Sequence, residues 1–148
     1  MSKSNTWESD LLTLVFNNTA AALIGDETGL PGSATAGVLY VSLHTADPGE
    51  TGNQTTSEAN YTGYARVSVA RTSGGWTIGT SPIQVSNAAT ITFGQCTAGT
   101  NTITHIGVGT SSSGTGKLLY SGALASSLAV SANITPSFAA GAIVITED

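Results

Sequence analysis

Apolar residues recur at helical spacing from Thr6 to Ile24. Trp7, Leu11, Leu14, Val15 and Ala22 share one face, and Leu12 and Phe16 widen it. The spacing predicts a helix over 6–24. Asn5 or Thr6 is placed to cap it, Glu8 and Asp10 sit in the first turn against the positive end of the dipole, and Gly25 is placed to end it. One broad apolar helix ahead of a strand-rich chain is expected to cover one sheet or one end of the β core, or to dock on another subunit.

After the turn-rich run "DETGLPGSATAG" (26–37) the period changes to two. In "GVLYVSLH", Leu39, Val41 and Leu43 alternate inward against outward Tyr40, Ser42 and His44. In "YARVSVAR", Val67 and Val69 alternate with Arg66 and Ser68. Further strands are predicted at 75–78, 88–93, 102–109, 117–121, 127–134 and 142–146, bounded by Gly, Pro, Asn or Ser clusters. The expected class is mainly β: a β-sandwich or barrel-like antiparallel domain with one N-terminal α-helix. It is read as a single domain over 1–148 with its β core across 37–146. A polar stretch over 45–63 lacks apolar periodicity, and such a loop inside a small domain is expected to be functional or mobile. Deleting 50–62 is expected to leave the fold intact.

Composition removes several function classes. Only 9% of residues are charged, against about 25% in an average domain. Ser and Thr together number 41 and Gly 18, so hydroxyls and backbone make the polar surface. The net charge is −5, and the four bases are Lys3, Arg66, Arg71 and Lys117. Four scattered cations cannot neutralise a run of phosphates, which excludes nucleic acid as a partner, and anionic membrane surfaces are disfavoured for the same reason. The single cysteine, Cys96, rules out an internal disulfide and is read as a small buried residue. "MSKSNTWESDLLTLVFNN" lacks a basic leader region, a long apolar run and a small-residue cleavage site, so synthesis in a host cytoplasm without a signal peptide is expected.

Candidate chemistry is thin. His44 and Asp47 stand three apart at a strand end, but no G-x-S-x-G elbow marks a nucleophile, and Asp47-Pro48-Gly49 reads as a turn. His44, Asp47, Glu50 and His105 match no zinc or EF-hand spacing. "GTSSSGTGK" fails the phosphate-loop pattern twice: Ser111 stands where its first Gly belongs, and Leu118 follows Lys117. No catalytic, metal or cofactor-binding residue is expected.

Three segments carry a resemblance: "LYVSLHTADPGETG" followed by "GYARVSV", then "ITHIGVGTSSSGTGKLLYSGAL", then "LAVSANITPSFAAGAIVIT". In this order the chain resembles a family of small structural proteins of tailed bacteriophages, which includes tail-fibre-like proteins and capsid decoration proteins. Relatives commonly carry Gly-Asp where this chain has Ala132-Asn133, which reads as a changed turn or a longer strand. The resemblance implies a virion component without catalytic residues.

The function expected first is a capsid decoration (cement) protein on the assembled shell, because the chain is short and has no repetitive shaft. The second is a tail or tail-fibre component with a receptor- or glycan-binding role, which exposed Tyr61 and Tyr64 would support. The expected partners are the major capsid protein or neighbouring copies in a homo-oligomer, where many weak contacts add up. The candidate partner-facing residues are Trp7 and Leu11 on the helix, and His44, Asp47 and Glu50 at the strand end and turn. Tyr61, Tyr64, Arg66 and Arg71, on and before the returning strand, complete the set.

Overall fold

The computed structural model describes residues 2–25 and 29–147. One helix, α1 (Asn5–Asn17), precedes nine strands: β1 (Val38–His44), β2 (Val67–Ala70), β3 (Trp76–Thr80), β4 (Ile83–Asn87), β5 (Ile91–Thr92), β6 (Asn101–Gly109), β7 (Leu118–Val130), β8 (Ser137–Phe138) and β9 (Val144–Thr146). Three open sheets have the orders β2-β1-β6-β7, β3-β4-β9 and β5-β8. The β1–β6, β6–β7, β3–β4 and β4–β9 registers are antiparallel. The protein is therefore mainly β with one helix, sandwich-like rather than a closed barrel. The chain folds as two units, one of residues 1–38, 70–90 and 138–148, the other of residues 39–69 and 91–137.

In the first unit α1 packs on β3 and β4. Ser4 rather than Asn5 or Thr6 is the N-cap, its Oγ accepting from the Trp7 amide at 3.4 Å. The helix stops at Asn17, well short of Gly25. Asn18 takes the left-handed conformation (φ 55°), and its side-chain amide pairs with both backbone groups of Ser33 at 2.7 and 2.8 Å. A left-handed residue with a tertiary partner ends the helix where apolar spacing alone would continue it, so Ala22 lies outside it. The buried seam is Leu12 and Phe16, one helical turn apart, whereas Trp7, Leu11, Leu14 and Val15 are half-buried. Phe16 meets the buried Trp76 ring edge-on at 4.9 Å. Of the turn-rich run predicted over 26–37, residues 26–28 lie outside the described residues.

Two polar side chains stitch this unit. Asn87 is 1% exposed; its Nδ2 donates to the Ala89 and Ala139 carbonyls and its Oδ1 accepts from the Ile143 amide. Arg71 donates Nε to the Val15 carbonyl at 2.7 Å, Nη2 to the Leu14 carbonyl at 2.8 Å and Nη1 to the Ala36 carbonyl at 3.1 Å. Its fork thus reaches carbonyls in the last turn of α1, which has no basic residue of its own. The β3–β4 hairpin pairs Trp76 with Asn87 and Thr80 with Ile83. β4 has no counterpart among the predicted strands; Ser81-Pro82 is the turn that joins it to β3.

In the second unit β6 is central, flanked by β1 and β7. β1 does not alternate in burial: from Val41 to His44 every residue is buried. Leu39, Val41 and Leu43 share the apolar face, where Val108 stands opposite Val41 and Ile106 opposite Leu43, while the opposite face is covered by the polar stretch 45–63. That stretch is not a projecting loop. Its Thr45 amide donates to the Ser57 carbonyl and its Ala59 amide to the Leu43 carbonyl, both at 2.8 Å. Gln54, Ala59 and Tyr61 are buried. The strands predicted at 117–121 and 127–134 are one strand, β7, ending at Val130.

Candidate functional site

The residues singled out from the sequence divide between the two units. Trp7, Leu11 and Arg71 belong to the first; His44, Asp47, Glu50, Tyr61, Tyr64 and Arg66 belong to the second.

The densest polar cluster lies on the second face of β1. Alternation places Ser42 and His44 on that face together, and both are fully buried. His44 Nδ1 lies 2.8 Å from the Thr56 carbonyl, which can only accept, so Nδ1 carries the proton and Nε2 accepts from Ser42 Oγ at 2.8 Å. Burial pulls the imidazole pKa below its ordinary value of 6.5, against the opposing pull of the Thr56 carbonyl and the Glu58 carboxylate. His44 is therefore the neutral inward anchor of the polar stretch, not the outward-facing strand end that alternation predicted.

Beside it, Arg66 grips Glu58 with two charge-assisted hydrogen bonds and donates Nη1 to the Ser111 carbonyl at 2.9 Å and Nη2 to the Gly114 carbonyl at 2.8 Å. The hydrogen bond to Glu58 raises the guanidinium pKa further. Tyr64 donates its hydroxyl to Glu58 Oε1 at 2.8 Å and accepts the Leu43 amide at 3.1 Å; burial pushes its phenol upward. Gln54 completes the latch. Its Oε1 accepts the Thr110 and Ser111 amides at 3.0 and 2.9 Å, and a Cβ on Gly109 or Gly116 would collide with it. Three of the sequence segments, around His44, around Tyr64–Arg66 and at 110–116, thus meet in one hydrogen-bonded cluster.

Serine Oγ on a histidine nitrogen, with the other nitrogen held by an acceptor, is the arrangement of a nucleophile and its base. Here both side chains are fully buried, and the Gly107 backbone closes over them: a Cβ there would lie 2.7 Å from His44 Nε2 and 2.8 Å from Ser42 Oγ. The carboxylate beside the pair is already committed to Arg66 and Tyr64. The cluster holds chain segments together and offers a substrate no approach.

Asp47 and Glu50 stay apart from it. Asp47 Oδ1 accepts the Gly49 amide at 2.9 Å, closing an Asx turn. Both acids line an open cleft of about 440 Å³ with Gly49, Gly52, Leu118, Leu119, Tyr120 and Ser121. Among the described residues no three His, Cys, Asp or Glu side chains are grouped to hold a metal ion. Tyr61 is 3% exposed and donates its hydroxyl to the Gly94 carbonyl at 3.0 Å, and Tyr64 is half-buried. Neither offers an exposed ring to a sugar. Burial, with Cys96 nearby, raises the Tyr61 phenol as well.

Sequence reasoning missed Ser42, Gln54, Glu58 and Asn101, whose Oδ1 accepts the Asn60 and Tyr61 amides. Glu58 carried one usable signal. In a chain with four bases, an acid eight residues before Arg66 is a candidate partner.

No curated protein matches the chain. The family model described as "Podophage GP4 fiber I protein gp80" matches residues 2–146, almost the whole length. On that match the chain belongs to the podophage GP4 fiber I protein gp80 family, a family of tailed-phage structural proteins.

Proposed function

We propose that this virion structural protein is a component of the tail fibre, acting by shape and assembly rather than by turnover. The observation that carries the reading is the fibre description of a family that runs over residues 2–146. The interior supports a structural role. Ser42, His44, Glu58, Tyr64 and Arg66 spend their hydrogen-bonding capacity on one another and on the backbone, as groups that hold a shape do. Under this reading the partners are copies of the chain and neighbouring tail proteins, with no cofactor and no nucleic acid. Decoration of the capsid is the competing location.

Quantitative mass spectrometry of purified virions, with gold-labelled antibody against the chain, tests the location. A few copies relative to the major capsid protein, with label at the tail, is the expected result. Hundreds of copies with label over the shell would move the protein to the capsid surface.

A further inference from the structure

We propose that Leu23 is an assembly anchor, which enters an apolar socket rimmed by lysine or arginine on a neighbouring virion protein of different sequence. The inference rests on the chain being a virion component, not on its place at the fibre or the shell. Leu23 carries two costs that nothing inside the chain offsets. It is 86% exposed, against 50% for Val144, the next most exposed large apolar side chain among the described residues. It also takes the left-handed conformation, with φ 62°. Asn18, Ser57 and Asn133 are the other non-glycine residues at positive φ among the described residues, and each has a short polar side chain. Asparagine in particular can bond locally in this conformation, whereas leucine gains nothing from it. Exposure alone would be ordinary for a leucine. Exposure together with backbone strain marks a side chain held out for contact.

The chain is built to hold it there. Asn18 stops α1, and its side-chain amide pairs with both backbone groups of Ser33. Three residues on, Ala21 and Leu30 exchange both backbone hydrogen bonds, at 3.0 and 2.8 Å. A Cβ on Gly29 would lie 2.0 Å from the Ala21 carbonyl oxygen, and one on Gly32 would lie 2.2 Å from that of Asn18. Only glycine lets the two arms close this far. The clamp fixes the foot of an excursion, and Leu23 stands two residues beyond it with Ala22 exposed beside it. The apolar run that continues past the end of α1 is thereby turned outward.

Charge selects the occupant. Asp26 and Glu27 follow Leu23 by three and four residues in the sequence, which keeps their backbones within about 15 Å of it. A second copy has little to set against them. Lys3 is paired with Glu147, Arg66 with Glu58, and Arg71 with the Leu14, Val15 and Ala36 carbonyls. Lys117 is the remaining base of the four. At a net charge of −5, copies would bring acid against acid. A socket that accepts Leu23 with its acidic neighbours is therefore apolar at its floor and basic at its rim, and belongs to a different protein.

Virions assembled with Leu23 variants test this, with copies of the chain per particle read by quantitative mass spectrometry. Leu23→Asn suits the left-handed backbone but carries no apolar group. It is expected to keep or raise the thermal midpoint of the purified protein while lowering its copies per virion about tenfold or more. Leu23→Met is expected to incorporate as the wild type does. Normal incorporation of Leu23→Asn overturns the anchor and leaves the fibre reading standing. A marked fall in its thermal midpoint also overturns the anchor, because Leu23 would then be part of the fold. A diazirine side chain at position 23, photolysed in intact virions, identifies the occupant. Cross-links to another virion protein, at a site flanked by lysine or arginine, are the expected result. Cross-links to copies of the chain, or none at all, overturn the proposal.

Discussion

Arg66 and Glu58 hold each other through two parallel contacts, Nε to Oε1 at 2.6 Å and Nη2 to Oε2 at 2.7 Å, with the arginine side chain 2% exposed and the glutamate 16%. Removing one partner of a buried pair strands the other charge away from water, which costs about 3–5 kcal/mol. Glu58→Gln and Arg66→Met are each expected to lower unfolding free energy by that order in urea titrations. The double variant is expected to cost clearly less than the sum, as a double-mutant cycle will read.

The polar stretch is part of the core, so deleting 50–62 is expected to abolish folding rather than spare it. The deletion removes Gln54, Glu58, Ala59 and Tyr61 and leaves the second face of β1 bare. A finer probe is Gln54→Ala. It orphans the Thr110 and Ser111 amides, and at about 1–3 kcal/mol for each unmade bond a loss of about 2–6 kcal/mol is expected. Amide exchange should speed up first at residues 110 and 111.

His44 makes the protein acid-sensitive. Burial lowers its folded pKa below 6.5, so the unfolded chain binds the proton more readily. The corresponding stability is fully present above pH 6.5 and is lost as pH falls through the depressed folded value. Thermal midpoints measured from neutral pH downward are expected to drop, beginning near 6.5. His44→Gln is expected to be less stable at neutral pH and to show a shallower fall over that range.

Arg71 joins the end of α1 to the chain that leads into β1. Arg71→Met leaves the Leu14, Val15 and Ala36 carbonyls without their donor and is expected to cost more than the about 1.5–3 kcal/mol that one hydrogen bond to a charged group contributes, because three are lost. Arg71→Lys is expected to recover only part of this, because a single ammonium cannot reproduce the fork. Chemical denaturation reads both.

Several features were legible in the sequence: the mainly β class, the single helix, β1, β6, and the tailed-phage family segments. Each rests on local signals: apolar spacing of two or of about four, Gly, Pro and Asn at the turns, and motif order. β1 shows where such signals stop. Alternation tells which face of a strand is dry only when the other face is wet. Here residues 53–58 return across the second face, so His44 and Ser42 are as buried as Leu43.

The sequence by itself determined the class of the fold, the kind of element at most positions, and the family; the tertiary structure alone decided which polar residues are spent inside. Gln54 reaches Ser111 across 57 positions, Arg71 reaches Leu14 across 57 and Asn101 reaches Asn60 across 41. No local pattern encodes such partners. A polar side chain is silent about burial until a distant backbone group arrives to satisfy it, and the cost of leaving it unsatisfied then makes that arrival part of the fold.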